Sequence, residues 1–300
     1  VGIHSVDDLM VQKRQVIERT TGTAVLNAED PRCLAMRDHT SAEHIVLVAR
    51  NAAHPAITRH CEAGGTAIVI DPPGADGKLC VCNSAGITPL LALAEIPATC
   101  KGAAFYNAEN ALFATAVAMG LGVSREVIIA SLRSFTMSIE HTPGRMNIFE
   151  GLPFQVIVDF AHNSHGIEAF CEFSNQLPVE GRRILVLVVG EGCTLSGIEA
   201  SAAAAANSFD YFLCRDRDPA KLEGRKPGEV AALLQAGLMK NGVPADRIEC
   251  FHDQAAALER ALEIVESGDL LVLFSGKFYA QTWNTLEQYR DALQHDCIVH

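Results

Sequence analysis

Five short apolar runs, each followed by a helical pattern, fix what the second half of this chain can become. Strands are predicted at 154–159, 183–189, 211–214, 247–251 and 270–274, with helices at 166–176, 197–208, 228–241, 253–266 and 280–294. Such alternation builds a mostly parallel sheet covered by helices, an α/β, doubly wound, Rossmann-like domain. Ile184 to Val189 is apolar at every position, as a strand buried on both faces must be.

The first half reads as α/β with an antiparallel edge. Ser5 and the acidic pair Asp7-Asp8 open a helix running to Glu18, and a strand follows at 23–26. Apolar runs at 45–49, 67–70 and 79–82 alternate with helical stretches near 30–37 and 54–63, and one more strand is predicted at 95–98. Asn107-x-x-Asn110 precedes an amphipathic helix over 111–119, and Ser124 caps another that ends near Phe135. The polar stretch from Thr136 to Thr142, closed by Pro143-Gly144, is the natural linker. Two domains are expected, 1–140 and 141–300, and a 300-residue chain with 49% hydrophobic residues can supply a core to each.

A net charge of −12 without a basic run argues against nucleic acid and anionic membranes as partners. No apolar stretch approaches the ~20 residues of a membrane span, and no signal peptide is visible. The ten cysteines form no CxxC pair, which argues against zinc, and several sit in apolar runs as buried thiols do. A reducing, cytoplasmic setting is expected, and homo-oligomerisation is left open.

Chemistry concentrates between Thr142 and Asn163. The turn Pro143-Gly144 places Arg145 beside a hairpin, 146–149 and 154–158, joined through Glu150-Gly151-Leu152-Pro153. The second strand ends in Asp159, His162 and Asn163, at the sheet edge where open α/β folds bind ligands. Arg145 could hold a phosphate and Asp159 a sugar hydroxyl, or the two could simply pair with each other.

Pro-Gly-Arg, a strand, then Asp-x-Ala-His-Asn resembles the opening of the C-terminal domain of Mur-type ATP-dependent amide ligases. The similarity runs from about Val6 to about Glu266 and is greatest to the Mur-like C-terminal half of cyanophycin synthetases, which share a stretch like Gly224-Arg225-Lys226-Pro227-Gly228-Glu229. The resemblance implies that the first domain is part of a central ATP-binding domain, that ATP and Mg are cofactors, and that the substrate is a small molecule or peptide polymer. By position it assigns Lys13, as a carbamate, to the metal; His4 is a second candidate beside it. Asn107 and Asn110 fall to the nucleotide, Arg145 to the phosphates, and Asp159 to the ribose. His162 and Asn163 shape the same pocket. Bland readings stand beside these: a solvated Lys13, a helix-capping asparagine. The charge run Arg215-Asp216-Arg217-Asp218 at the next strand's end is either a substrate contact, through Arg215, Asp216 and Asp218, or a solvated loop. Lys277, after the last strand, faces the same edge.

Two departures matter. No G-x-x-x-x-G-K-[ST] loop is present, and Gly190-Glu191-Gly192 stands where the family usually carries Gly-Asp-Arg. The expectation is therefore a piece of a longer ligase of cyanophycin synthetase type, inactive alone, that activates a carboxylate as an acyl phosphate and joins it to an amino acid. The alternatives are another Mur-family ligase, acting on peptidoglycan precursors or folates, or a non-catalytic nucleotide- or peptide-binding module.

Overall fold

Parallel strands need both faces covered, and the chain supplies helices for that twice over. The computed structural model describes residues 5–217 and 224–299. It divides into two units, Val1–Thr136 and Met137–His300.

In the first unit the sheet order is β1 (Thr23–Asn27), β2 (His44–Ala49), β3 (Thr66–Asp71), β4 (Lys78–Asn83), β5 (Gly86–Ala92). The first three strands are parallel and the last two antiparallel. Leu26, Leu47, Val69 and Cys80 pack with Ile57 and Cys61 of α3 (Pro55–Glu62). Helix α1 (Val6–Glu18) is capped by Ser5, which accepts the Asp8 N–H at 3.0 Å, and has no buried residue. Helix α2 (Pro31–Ala35) follows the first strand, and α4 (Phe105–Gly120) and α5 (Arg125–Ser134) close the unit.

Three expectations need correction here. The strand expected at 95–98 is two 3₁₀ turns, Leu93–Glu95 and Pro97–Thr99, curled because the Thr99 hydroxyl donates to the carbonyls of Leu93 and Ile96 at 2.7 and 2.9 Å. Strand β5 escaped notice because Gly86, Ile87, Thr88 and Pro89 face solvent on a sheet edge, and Leu91 is its buried residue. Helix α4 begins six residues before 111, so both asparagines lie inside it rather than before it.

Asn107 is buried; its amide donates to the Ala98 carbonyl at 2.8 Å, and its oxygen accepts from Asn110 at 3.2 Å. The pair thus anchors α4 to the preceding turn. Asn107→Ala is expected to lower stability by about 1–2 kcal/mol, read as a shifted urea midpoint at unchanged slope.

The second unit orders its strands β10 (Ile248–Phe251), β9 (Tyr211–Arg215), β8 (Arg183–Leu187), β11 (Leu270–Phe274), β7 (Gln155–Asp159), β6 (Asn147–Phe149). All pair in parallel except β6, the first arm of the hairpin. Val156, Val158, Ile184, Val186, Leu271 and Leu273 point to one face, against α9 (Gln254–Ile264) and Leu286 of α10 (Tyr279–Val299). Alternation turns Phe274 to the other face, where it meets Phe170 of α6 (Ser164–Ser174) edge-on at 5.2 Å. Helix α7 (Leu195–Ala205) packs between α6 and α8 (Glu229–Lys240). Helix α7 leaves β8 on one face and α10 leaves β11 on the other, so the crossovers diverge between these two neighbouring strands. That divergence opens a crevice at the strands' C-terminal ends.

Candidate functional site

The turn before β6 is built by backbone geometry that its sequence allows. Gly144 takes φ +72°, and its N–H donates to the Asn147 side chain at 2.6 Å. Met146 is left-handed too, at φ +47°, a conformation that costs a non-glycine residue energy. Asp159 holds it there. One carboxylate oxygen accepts the Met146 N–H at 2.8 Å, and the other accepts the Ala161 N–H at 2.7 Å. Asp159 is 8% exposed. Burial pushes its carboxyl above the usual value; the N–H groups of Met146 and Ala161 and the charge of Arg145 oppose that shift.

Arg145 and Asp159 do not form the ion pair that was one of the two sequence readings. Arg145 is exposed, and its guanidinium lies over the Phe160 ring, 4.6 Å from the centroid. Asn163 accepts the Gly166 N–H at 2.9 Å as the N-cap of α6. His162 bonds through Nδ1 to the Phe160 carbonyl at 2.7 Å, and its own carbonyl accepts the Gly190 N–H at 2.7 Å. A Cβ at Gly190 would meet the His162 ring at 2.8 Å, so a glycine is required where these two strand ends touch.

The crevice itself is a recess of about 250 Å³, open mouth included, lined by Phe160 and His162 after β7, Val188 and Val189 after β8, Arg215 and Arg217 at the end of β9, and Ser275 to Phe278 after β11. Four strand ends therefore converge on it. Three of the lining residues are cationic: Arg215, Arg217 and Lys277.

Arg215 is 1% exposed. Its guanidinium donates to the carbonyls of Asp216, Arg217 and Phe274 at 2.9, 3.2 and 2.9 Å, while Nε has no partner. Among the described residues no carboxylate lies within ion-pair distance of it, and burial pushes it down to about 9. Ser275, fully buried, also leaves its hydroxyl unpartnered. Arg217 is matched by Glu191 at 3.7 Å.

Asp216 corrects the expectation of direct substrate contact. It is buried, and its carboxylate accepts the N–H groups of Gly228 and Ala231, the latter at 3.1 Å. It caps α8, where Gly228 in a left-handed conformation offers no side chain of its own. Asp218 and His4 lie outside the described residues.

The second unit thus brings together Arg145, Asp159, His162, Asn163, Arg215 and Asp216 along one sheet edge. Lys13, Asn107 and Asn110 belong to the other unit. Lys13 is exposed on α1, and among the described residues no group of three or more His, Cys, Asp or Glu is placed to hold a metal ion. Sequence reasoning missed Phe160, the x of Asp-x-Ala-His-Asn, although an aromatic next to a strand-end carboxylate was a signal. Ser275 and Phe278 were missed as well; nothing in their local sequence marked them.

Residues 144–278 match the model of the Mur ligase glutamate ligase domain. A cyanophycin synthetase of Synechocystis sp. is 32% identical over 280 residues, covering 91% of this chain and 31% of that protein. The chain spans about a third of the length of such relatives. Among solved structures, E. coli FolC in complex with DHPP and ADP superposes with a TM-score of 0.62 at 19% identity, covering 97% of this chain and 60% of that one. MurC of Thermotoga maritima, a UDP-N-acetylmuramate–alanine ligase, gives 0.60 at 15%, covering 96% and 56%. No helix among the described residues is long and apolar enough to cross a membrane. Residues 144–278 carry a Mur ligase glutamate ligase domain, and the sequence is similar over nine-tenths of its length to part of the cyanophycin synthetases.

Proposed function

We propose that this chain is part of a cyanophycin-synthetase-type ligase that joins arginine to aspartate side-chain carboxyls of a peptide polymer. The observation that carries this reading is the 32% identity that spans both units. The cation-lined recess at the diverging strands of the second unit suits it. A carboxylate oxygen attacks the γ-phosphorus of ATP, ADP leaves, and an acyl phosphate results. The amine nitrogen then attacks the acyl carbon; phosphate departs and the nitrogen loses a proton.

Arg145 offers its open guanidinium to the phosphates, while Asp159, whose two oxygens are taken by the N–H groups of Met146 and Ala161, fixes the turn that carries Arg145 rather than reaching the ribose itself. His162 and Asn163 hold the strand end in shape. Arg215 supplies positive charge beside the recess, and Asp216 positions the loop by capping α8. Magnesium fits less well. It takes one or two carboxylates with substrate phosphates and water; Lys13 is exposed, and among the described residues no group of three or more His, Cys, Asp or Glu is placed to hold the ion with its carbamate.

The test is phosphate release by the full-length protein given ATP, aspartate-containing polymer and arginine. Release that requires both substrates is the expected result. If no amino acid elicits any release, the ligase reading is wrong and a binding module remains, which the absence of Gly-Asp-Arg at 190–192 would favour.

A further inference from the structure

Arg145 is an exposed cation that nonetheless has a fixed seat. Among the described residues no carboxylate or carbonyl takes a hydrogen bond from its guanidinium, and the contact it makes is with the face of Phe160, 4.6 Å from the ring centroid. A guanidinium seated over an aromatic face is held by its charge and leaves its N–H donors, which bond to nothing on the ring, for an acceptor on the solvent side. The ring beneath is itself held. His162 meets it edge-on at 5.3 Å and 86°, and the Phe160 carbonyl is bonded to His162 Nδ1 at 2.7 Å. On the amino side the chain is fixed through the buried Asp159 carboxylate, which spans Met146 and Ala161. Arg145, Phe160 and His162 thus form a stack whose lower members are tied to the end of β7. Phe160 and His162 also line the recess.

We propose that Phe160 is a positioning residue for Arg145: its ring holds the guanidinium, donors outward, in the orientation that receives an anionic group of the nucleotide. This inference rests on the reading that Arg145 binds the ATP phosphates. A long side chain loses rotamer freedom when it binds, and a platform that has already restricted it reduces that loss. The oligophosphate of a nucleotide offers several acceptor oxygens that the planar fork matches in pairs.

The experiment is a double-mutant cycle on the full-length protein, with ATP affinity measured by calorimetry and KM for ATP by phosphate release. Arg145→Ala is expected to weaken ATP binding about 10-fold or more, as loss of a charged donor does. Phe160→Leu, which keeps an apolar side chain but no aromatic face, is expected to weaken it about 3- to 5-fold, mostly in KM rather than kcat. Phe160→Tyr keeps the face and should restore affinity. Added to Arg145→Ala, Phe160→Leu should cost nothing further, because there is no guanidinium left to orient. If Phe160→Leu leaves ATP affinity unchanged, or costs as much without Arg145 as with it, the positioning role is wrong. An Arg145→Ala protein that binds ATP normally removes the underlying reading instead, and the proposal with it. Should Phe160→Leu fold poorly by circular dichroism, Phe160→Met takes its place with the same expectations.

Discussion

Asp159→Ala is expected to lower the thermal midpoint of the second unit by about 6–12 °C, through a stability loss of about 3 kcal/mol. The cause is local. Removing the carboxylate strands the N–H groups of Met146 and Ala161, both bonded to it at 2.7–2.8 Å, and frees Met146 from the left-handed conformation at φ +47°. Asp159→Asn should lose less, since its single amide oxygen can serve one of the two N–H groups while the NH₂ confronts the other. Protonation gives the loss a pH signature. Burial holds the carboxyl above its ordinary value of 3.8, so between that value and the folded one the native state binds more protons than the unfolded chain. The contribution of Asp159 is therefore fully present below 3.8 and falls as pH rises through the folded value. The gap between wild type and Asp159→Ala should be widest in acid and narrow toward neutrality, and urea midpoints across that range measure it. A gap that widens with pH would mean that the charged form is the one stabilised by its N–H partners.

The doubly wound half was legible because its strands are buried on both faces and so carry continuous apolar runs, as at Ile184–Val189. The helices were legible but their starts were placed at 166, 197 and 253; the caps Asn163, Thr194 and Asp253, which accept N–H groups three residues on, begin α6, α7 and α9 at 164, 195 and 254. The charge run at 215–218 was not legible in the same way. Arg215 and Asp216 are both buried, since their polar ends are satisfied by backbone far along the chain, at Phe274 and at Gly228 and Ala231. Pattern reading sees neighbours in sequence, and a loop charge with a distant partner looks like a solvated one. Strand β5 failed for the opposite reason. Its edge position leaves most of its residues in water, so no alternation marks it. The site shows the same division: Arg145, Asp159 and His162 sit in one readable stretch, whereas Ser275 and Arg215 reach the recess through topology.

Arg215 carries the second large effect, and two substitutions separate its volume from its charge. Arg215→Ala empties a fully buried site beside three strand ends and should cost about 3–5 kcal/mol, seen as a lower urea midpoint. Arg215→Met keeps most of the volume and removes the cation. Three carbonyls lose a donor, at Asp216, Arg217 and Phe274, but a buried guanidinium with no carboxylate opposite is also relieved of its desolvation penalty. The two effects oppose each other, so Arg215→Met is expected to lie within about 1–2 kcal/mol of wild type. Alkaline titration gives the sign independently. Burial lowers the guanidinium to about 9, so above that pH the unfolded chain binds more protons than the native one, and this group's penalty, full below 9, lifts as pH climbs. Arg215→Met should flatten that rise. On the proposed reading, an anion entering the recess, where Arg217, Lys277 and the unpartnered Ser275 hydroxyl stand beside Arg215, would offset this charge. Arg215→Met should accordingly stay folded yet lose about 10-fold or more in kcat/KM for the proposed reaction of the full-length protein, the scale of one lost charged donor. Full activity in a stable Arg215→Met protein would show that the guanidinium serves only to tie β9 to β11.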